Sequence, residues 1–159
     1  MDKKIVPCLW FDTEGEDAAN LYVSLFKNSQ ILEIQHYGEA GPRPAGTVMT
    51  VSFELDGTEF LALNGGPEFT FDEAVSFQIM CEDQAEVDHF WHGLIADGGE
   101  ESQCGWLKDR FGVSWQVVPK ALPELIGGPD PQKGQAAMKC MLGMQKLDIA
   151  ALQKAYDEG

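Results

Sequence analysis

The stretch VSFQIMCEDQAEVDHFWHGLIADGG, Val75 to Gly99, decides the fold. Val75 to Cys81 reads as a strand, short and largely apolar. Asp83-x-x-Glu86 follows as a helix-start signal, because an aspartate before the first turn accepts a hydrogen bond from an otherwise orphaned backbone amide. Val87, Phe90, Trp91, Leu94 and Ile95 then recur at the spacing of one buried helix face, and Gly98-Gly99 supplies the stop. Moving each of these five positions back by 69 residues lands on Ala18, Leu21, Tyr22, Leu25 and Phe26, which have the same spacing. That second stripe follows Thr13-x-x-Glu16, a capping-box pattern.

The surrounding segments repeat as well. Lys4 to Phe11 reads as a strand before the first helix, and Gln30–Tyr37, Thr47–Leu55 and Thr58–Asn64 as three strands after it. The last two meet at Asp56-Gly57, a hairpin signal because both residues tolerate positive φ. A Gly- and Pro-rich loop, Gly38 to Gly46, precedes them. In the second half, strand material returns at Glu101–Leu107 and Val113–Val118. The expected fold is therefore α+β: two β-α-β-β-β modules, at about 1–66 and 74–119. Past Pro119 comes a tail, 120–159, rich in proline, with helical stretches at Gln132–Gln145 and Asp148–Tyr156. Too short to be stable alone, it should pack on the modules or across a dimer interface; Met138, Met141 and Met144 offer either packing or an adaptable binding face.

Of the 159 residues, 44% are hydrophobic and 9 are Phe, enough to build a core and to argue against disorder. Basic residues number 11 against 26 acidic, a formal charge of −15 that repels phosphate backbones and anionic membranes, so neither nucleic acid nor a membrane is an expected partner. No run approaches the ~20 apolar residues of a membrane span. The amino end, MDKKIVPCLWFD, lacks the apolar region of a secretion signal, so the chain is expected to be cytoplasmic. Cys8, Cys81, Cys104 and Cys140 form no C-x-x-C pair and read as reduced thiols.

One polar residue stands out in the second half. Gln116 lies between Trp115 and Val117 in an apolar strand, and an unpartnered polar group there costs roughly 1–3 kcal/mol, so it is either hydrogen-bonded in the core or aimed into a cavity. Strand alternation groups Val6, Cys8 and Trp10; Phe60, Ala62 and Asn64; Ser76, Gln78 and Met80; and Ser114, Gln116 and Val118. If these faces line a cavity, it suits a small, mostly apolar ligand oriented by a few hydrogen bonds. The alternative is a filled core in which Gln78 and Gln116 satisfy each other. Cys104, beside Gly105-Trp106 and near Lys108 and Arg110, is the best-placed thiol for a nucleophile, with a buried inert thiol as the plainer reading. His89 and His92 flank the core stripe of the second helix, and His36 lies on a strand with no carboxylate partner in view.

Two such modules, together with PCLWFD (7–12), LALNGGPEFTF (61–71), SFQIMCED (76–83), ESQCGWLKDRFGVSWQVVP (101–119) and the tail segment KLDIAAL (146–152), resemble the vicinal oxygen chelate superfamily of glyoxalases, bleomycin-resistance proteins and extradiol dioxygenases. They are most similar to its PhnB-like branch, often labelled 3-demethylubiquinone-9 3-methyltransferase. The resemblance implies paired modules enclosing a cavity and a homodimer. It also implies a divalent metal held by first- and last-strand side chains, His, Glu or Gln, in the superfamily's enzymes. Here those positions fall at Val6, Ala62, Ser76 and Gln116, and a register shift of two brings in Cys8, Asn64 and Gln78. Such a set is poor for a divalent ion, so neither a metal nor another cofactor is expected. The implied function is small-molecule binding, the candidate ligand-binding residues being Gln116, Gln78, Ser76, Asn64, Trp10, Cys8, Cys104 and Trp106. The alternative is a glyoxalase- or dioxygenase-like lyase, isomerase or oxygenase with a degenerate or metal-free site. Methyl transfer finds no support, since no glycine-rich turn follows Phe11.

Overall fold

A computed structural model describes residues 3–159; the first two, where the expected first module begins, lie outside the described residues. The chain divides into two compact units, Met1–Phe71 and Asp72–Gly159.

In the first unit, β1 (Cys8–Phe11) leads into α1 (Gly15–Leu25), followed by β2 (Gln30–His36), β3 (Val48–Leu55) and β4 (Thr58–Asn64). The sheet order is β1-β4-β3-β2, with β1 parallel to β4 and the other pairs antiparallel. Asp56 and Gly57 make the β3–β4 turn with φ of 46° and 85°, the conformation for which the Asp-Gly pair was selected. Val51, Phe53, Phe60, Ala62 and Tyr22 are buried, with the Phe53 and Phe60 rings stacked at 5.4 Å.

The start of α1 departs from the sequence expectation. No capping box forms: the flanking residue is Glu14, and it makes no side-chain cap. Instead Asn64, at the end of β4, accepts the Gly15 amide at 2.8 Å. A distant asparagine thus replaces the local cap, and it fixes the residue type at 15, since a Cβ there would stand 2.7 Å from Asn64 Oδ1.

The second unit repeats the plan: β5 (Ser76–Cys81), α2 (Gln84–Ile95), β6 (Glu100–Glu101), β7 (Trp106–Lys108) and β8 (Ser114–Pro119), in the order β5-β8-β7-β6. Here the helix cap is the expected one, Asp83 accepting the Glu86 amide at 2.9 Å. The single strand expected at 101–107 is two short strands separated by a turn in which Cys104 and Gly105 both have positive φ. Val87, Phe90, Trp91 and Leu94 of α2 are buried, as are Ile79, Cys81, Leu107, Trp115 and Val117 of the strands.

The tail adds α3 (Ala121–Ile126), α4 (Pro131–Leu142) and α5 (Ile149–Glu158), and it belongs to the second unit. Asp130 caps α4, with Pro131 just inside the start, and Asp148 caps α5. Val118, Leu122, Leu125, Ala137, Leu147 and Leu152 form a buried cluster, against which Met141 and Met144 pack. Gln84, the first residue of α2, donates to the Leu147 carbonyl and accepts the Ile149 amide. Lys146 pairs with Asp88 one turn further along, at 2.8 Å.

Candidate ligand-binding site

The parallel β5–β8 pairing places Gln78 opposite Gln116 and Ser76 opposite Ser114, and the antiparallel β7–β8 pairing places Trp106 opposite Gln116. Paired residues share a face, so Ser76, Gln78, Ser114, Gln116 and Trp106 lie together on the side of the sheet away from the buried residues that meet α2. On that face Gln78 Nε2 donates to Gln116 Oε1 at 3.1 Å, and Gln116 Nε2 donates to Ser76 Oγ at 2.8 Å. The glutamines satisfy each other, yet no filled core surrounds them: Gln78 is exposed, Gln116 and Ser76 are half-buried, and the neighbouring Met80 is 40% exposed.

The other sequence-selected residues separate into different settings. In the first unit, Cys8 pairs with Leu61 and Trp10 with Leu63, whereas Ala62 and Asn64 pair with Leu9 and Phe11. Asn64 and Ala62 therefore face α1, on the opposite side of the sheet from Cys8 and Trp10. The expected grouping fails because alternation fixes faces within a strand and says nothing of the register between strands. Asn64 is buried and fully engaged: Oδ1 caps Gly15, Nδ2 donates to the Val48 carbonyl at 3.1 Å, and its backbone carbonyl accepts the Tyr37 hydroxyl at 2.6 Å. Asn64→Ala is expected to destabilise the protein by about 2 kcal/mol, read as a lower urea midpoint, since it leaves the Gly15 amide buried without its acceptor.

Trp10 stays on the open side, its Nε1 donating to the Gly66 carbonyl at 2.9 Å and its ring meeting Phe69 edge-on at 4.9 Å. Cys8 is exposed, with partial burial holding its thiol above the ordinary range. Burial pushes Cys81 up to about 12, with the negative charges of Glu86 and Asp83 adding to it, so it is an inert thiol. Cys104 sits at φ 57° in the β6–β7 turn, its amide donating to the Met144 carbonyl at 2.8 Å. The cations considered for it are engaged elsewhere: Lys108 pairs with Glu73, and Arg110 with Asp97 at 3.4 Å. His36, His89 and His92 are all exposed.

These residues do not fit the divalent metal that the fold implies. Both ends of the Gln116 amide are already paired to an amide and a hydroxyl, and among the described residues no three His, Cys, Asp or Glu side chains come together as ligands. The arrangement offers neutral donors and acceptors beside an indole.

Two four-stranded mixed sheets built from repeated β-α-β-β-β modules define a protein of the glyoxalase/bleomycin-resistance fold. The family model described as 3-demethylubiquinone-9 3-methyltransferase matches residues 3–118, and the chain belongs to that family. Among solved structures, a PhnB protein from Bacillus cereus, described as a 3-demethylubiquinone-9 3-methyltransferase, is 37% identical with a TM-score of 0.68, over 74% of this chain and 99% of its own. A protein from Pseudomonas aeruginosa is 21% identical, TM-score 0.61, over 75% and 98%. The fosfomycin resistance protein FosX from Mesorhizobium loti shares the fold at 7% identity, TM-score 0.51, over 74% and 91%. A search of curated proteins found no match. The family match ends at 118, so α3 to α5 lie outside it.

Proposed function

We propose that this chain is a small-molecule-binding protein, with no catalytic metal, that seats a small and mostly apolar ligand on the open face of its second sheet. The observation that carries the reading is the Gln78–Gln116–Ser76 hydrogen-bond chain on a face that is not filled. In a chain with 23% charged residues, a merely solvated sheet face would be expected to carry charge along its length. Its central positions are instead Ser76, Gln78, Met80, Gln116 and Trp106, all neutral, and its charge is confined to Lys108 and Glu100 at the β6–β7 end. That mixture suits a ligand with an apolar body and one or two polar atoms, the indole of Trp106 against the body and the Gln116 amide on the polar end. Cys104 and Trp106 extend the candidate lining in the second unit, while Cys8 and Trp10 are candidate ligand contacts on the first unit's own sheet. A cytoplasmic homodimer is the proposed working form, and sedimentation at micromolar concentration tests the dimer. Methyl transfer is not proposed, because the β1–α1 turn, Asp12 to Glu14, contains no glycine-rich segment.

The test is native mass spectrometry of freshly purified protein, together with a thermal-shift screen of small metabolites. The wild type is expected to retain or be stabilised by a small molecule. Gln116→Leu is expected to lose at least tenfold in affinity while melting within about 2 °C of wild type, because its partners Gln78 and Ser76 are solvent-accessible and find water. If no molecule binds, or if binding is indifferent to Gln116→Leu, the reading is wrong.

A further inference from the structure

At the β6–β7–β8 end of the same sheet lies a cavity of about 170 Å³, lined in part by Glu73, Glu100, Trp106, Lys108 and Ser114. Ser114 is 1% exposed, and its hydroxyl is the one buried side-chain polar atom among the described residues without a hydrogen-bond partner. A buried hydroxyl left unpaired is costly, and such a group in a native protein calls for an explanation. Register puts Lys108 beside Ser114 on one side and Glu100 on the other. Glu101 turns towards the helix, where it accepts the Trp91 indole N–H at 2.8 Å.

The charges of this cavity do not balance. Lys108 is the lining's sole cation and bonds Glu73, leaving Glu100 in excess, with Asp72 close enough to act on Lys108 as well. The lysine reports the field: Glu73, then Glu100 and Asp72, raise its pKa above the ordinary range, while Lys108 lowers that of Glu73. Trp106 in the lining suits a cationic guest. At about 30 Å³ per water-sized group, the volume admits roughly five or six non-hydrogen atoms.

We propose that this cavity seats the ammonium head of a small primary amine, its N–H groups donating to Ser114 Oγ and to the Glu100 carboxylate, with Trp106 against its carbon chain. This rests on reading the open face as a ligand-binding face, and it adds the chemical class of the ligand. Ser114 is then a hydroxyl kept for the guest, at the expense of the empty protein's stability.

The experiment is an NMR titration of the full chain at low salt with n-butylammonium, 1-butanol and magnesium as probes, repeated on Glu100→Gln, Ser114→Ala and Gln116→Leu. n-Butylammonium is expected to shift the Ser114 and Trp106 signals saturably and to bind at least tenfold more tightly than 1-butanol. Glu100→Gln should weaken it about tenfold. Ser114→Ala should weaken it several-fold while leaving the melting temperature of the free protein equal or higher, which a structural role for the hydroxyl would not do. Equal binding of 1-butanol, indifference to Glu100→Gln, or magnesium binding in place of the amine would each overturn the inference. A neutral ligand dependent on Gln116 but not on Glu100 would leave the proposed function standing and remove only this addition. Amine binding insensitive to Gln116→Leu would do the reverse.

Discussion

Replacing Asp109 with alanine is expected to lower folding stability by about 3–5 kcal/mol, the range for leaving a buried charged network without one partner. Asp109 is 3% exposed in the turn between β7 and β8. Its Oδ1 accepts the Phe111 amide at 2.9 Å and the Val113 amide at 3.1 Å, and its Oδ2 accepts the Trp115 indole N–H at 2.9 Å. Alanine leaves three donors in a dry turn, and the turn is what aligns Lys108 and Ser114 across the β7–β8 ladder. Asp109→Asn should cost roughly half as much, since one amide oxygen still serves the backbone while its NH₂ meets the Trp115 N–H donor to donor. Urea unfolding followed by tryptophan fluorescence measures both. A loss below about 1 kcal/mol for Asp109→Ala would show that the turn finds other acceptors.

Leu147→Ala is the second large effect, expected at about 3 kcal/mol from lost burial plus the void left behind. Leu147 is fully buried in the cluster that joins Val118 of β8 to Leu122, Leu125 and Leu152 of the tail. It also lies against the β6–β7 turn: a Cβ on Gly105 would approach its Cδ1 to 3.0 Å and the Val117 carbonyl oxygen to 2.9 Å. Gly105, at φ 86°, is therefore a glycine for backbone and contact reasons together. Chemical denaturation monitored by helical circular dichroism should show the loss in Leu147→Ala. If it falls below about 1 kcal/mol, the tail is only loosely seated on the second unit.

How far the chain could be read without coordinates follows from which interactions are local. The stripe repeated at 69 residues, the Asp83 cap and the Asp56-Gly57 turn are written in neighbouring residues; the cap and turn are found in place, and the stripe is buried at Val87, Phe90, Trp91 and Leu94 of α2 but only at Ala18 and Tyr22 of α1. The cap of α1 is not written locally, because its acceptor is Asn64, on the far side of β2 and β3 in sequence. The same residue was expected on the open face with Cys8. The parallel β1–β4 register that turns it inward depends on packing between segments some fifty residues apart. Gln116 was legible as an anomaly, and its partner Gln78 was foreseen, because both stand out in apolar strands. Glu73 and Glu100 were not, since an exposed glutamate in a chain of charge −15 carries no signal until a lysine and an unpaired serine are found beside it. Asp109 reads from sequence as an ordinary turn residue, and only the converging donors show it to be a buried acceptor.

The tail also gives the second sheet a rim with its own clock. The amides of Cys104 and Gly105 are held by the carbonyls of Met144 and Gln145, not by a neighbouring strand. Detachment of the tail would leave these two amides without their acceptors, while the Gly105 carbonyl still accepts the Val117 amide and the β5–β8 ladder stays closed. Amide hydrogen exchange at Cys104 and Gly105 is thus expected to follow undocking of the tail, and to be faster than exchange in the β5–β8 ladder.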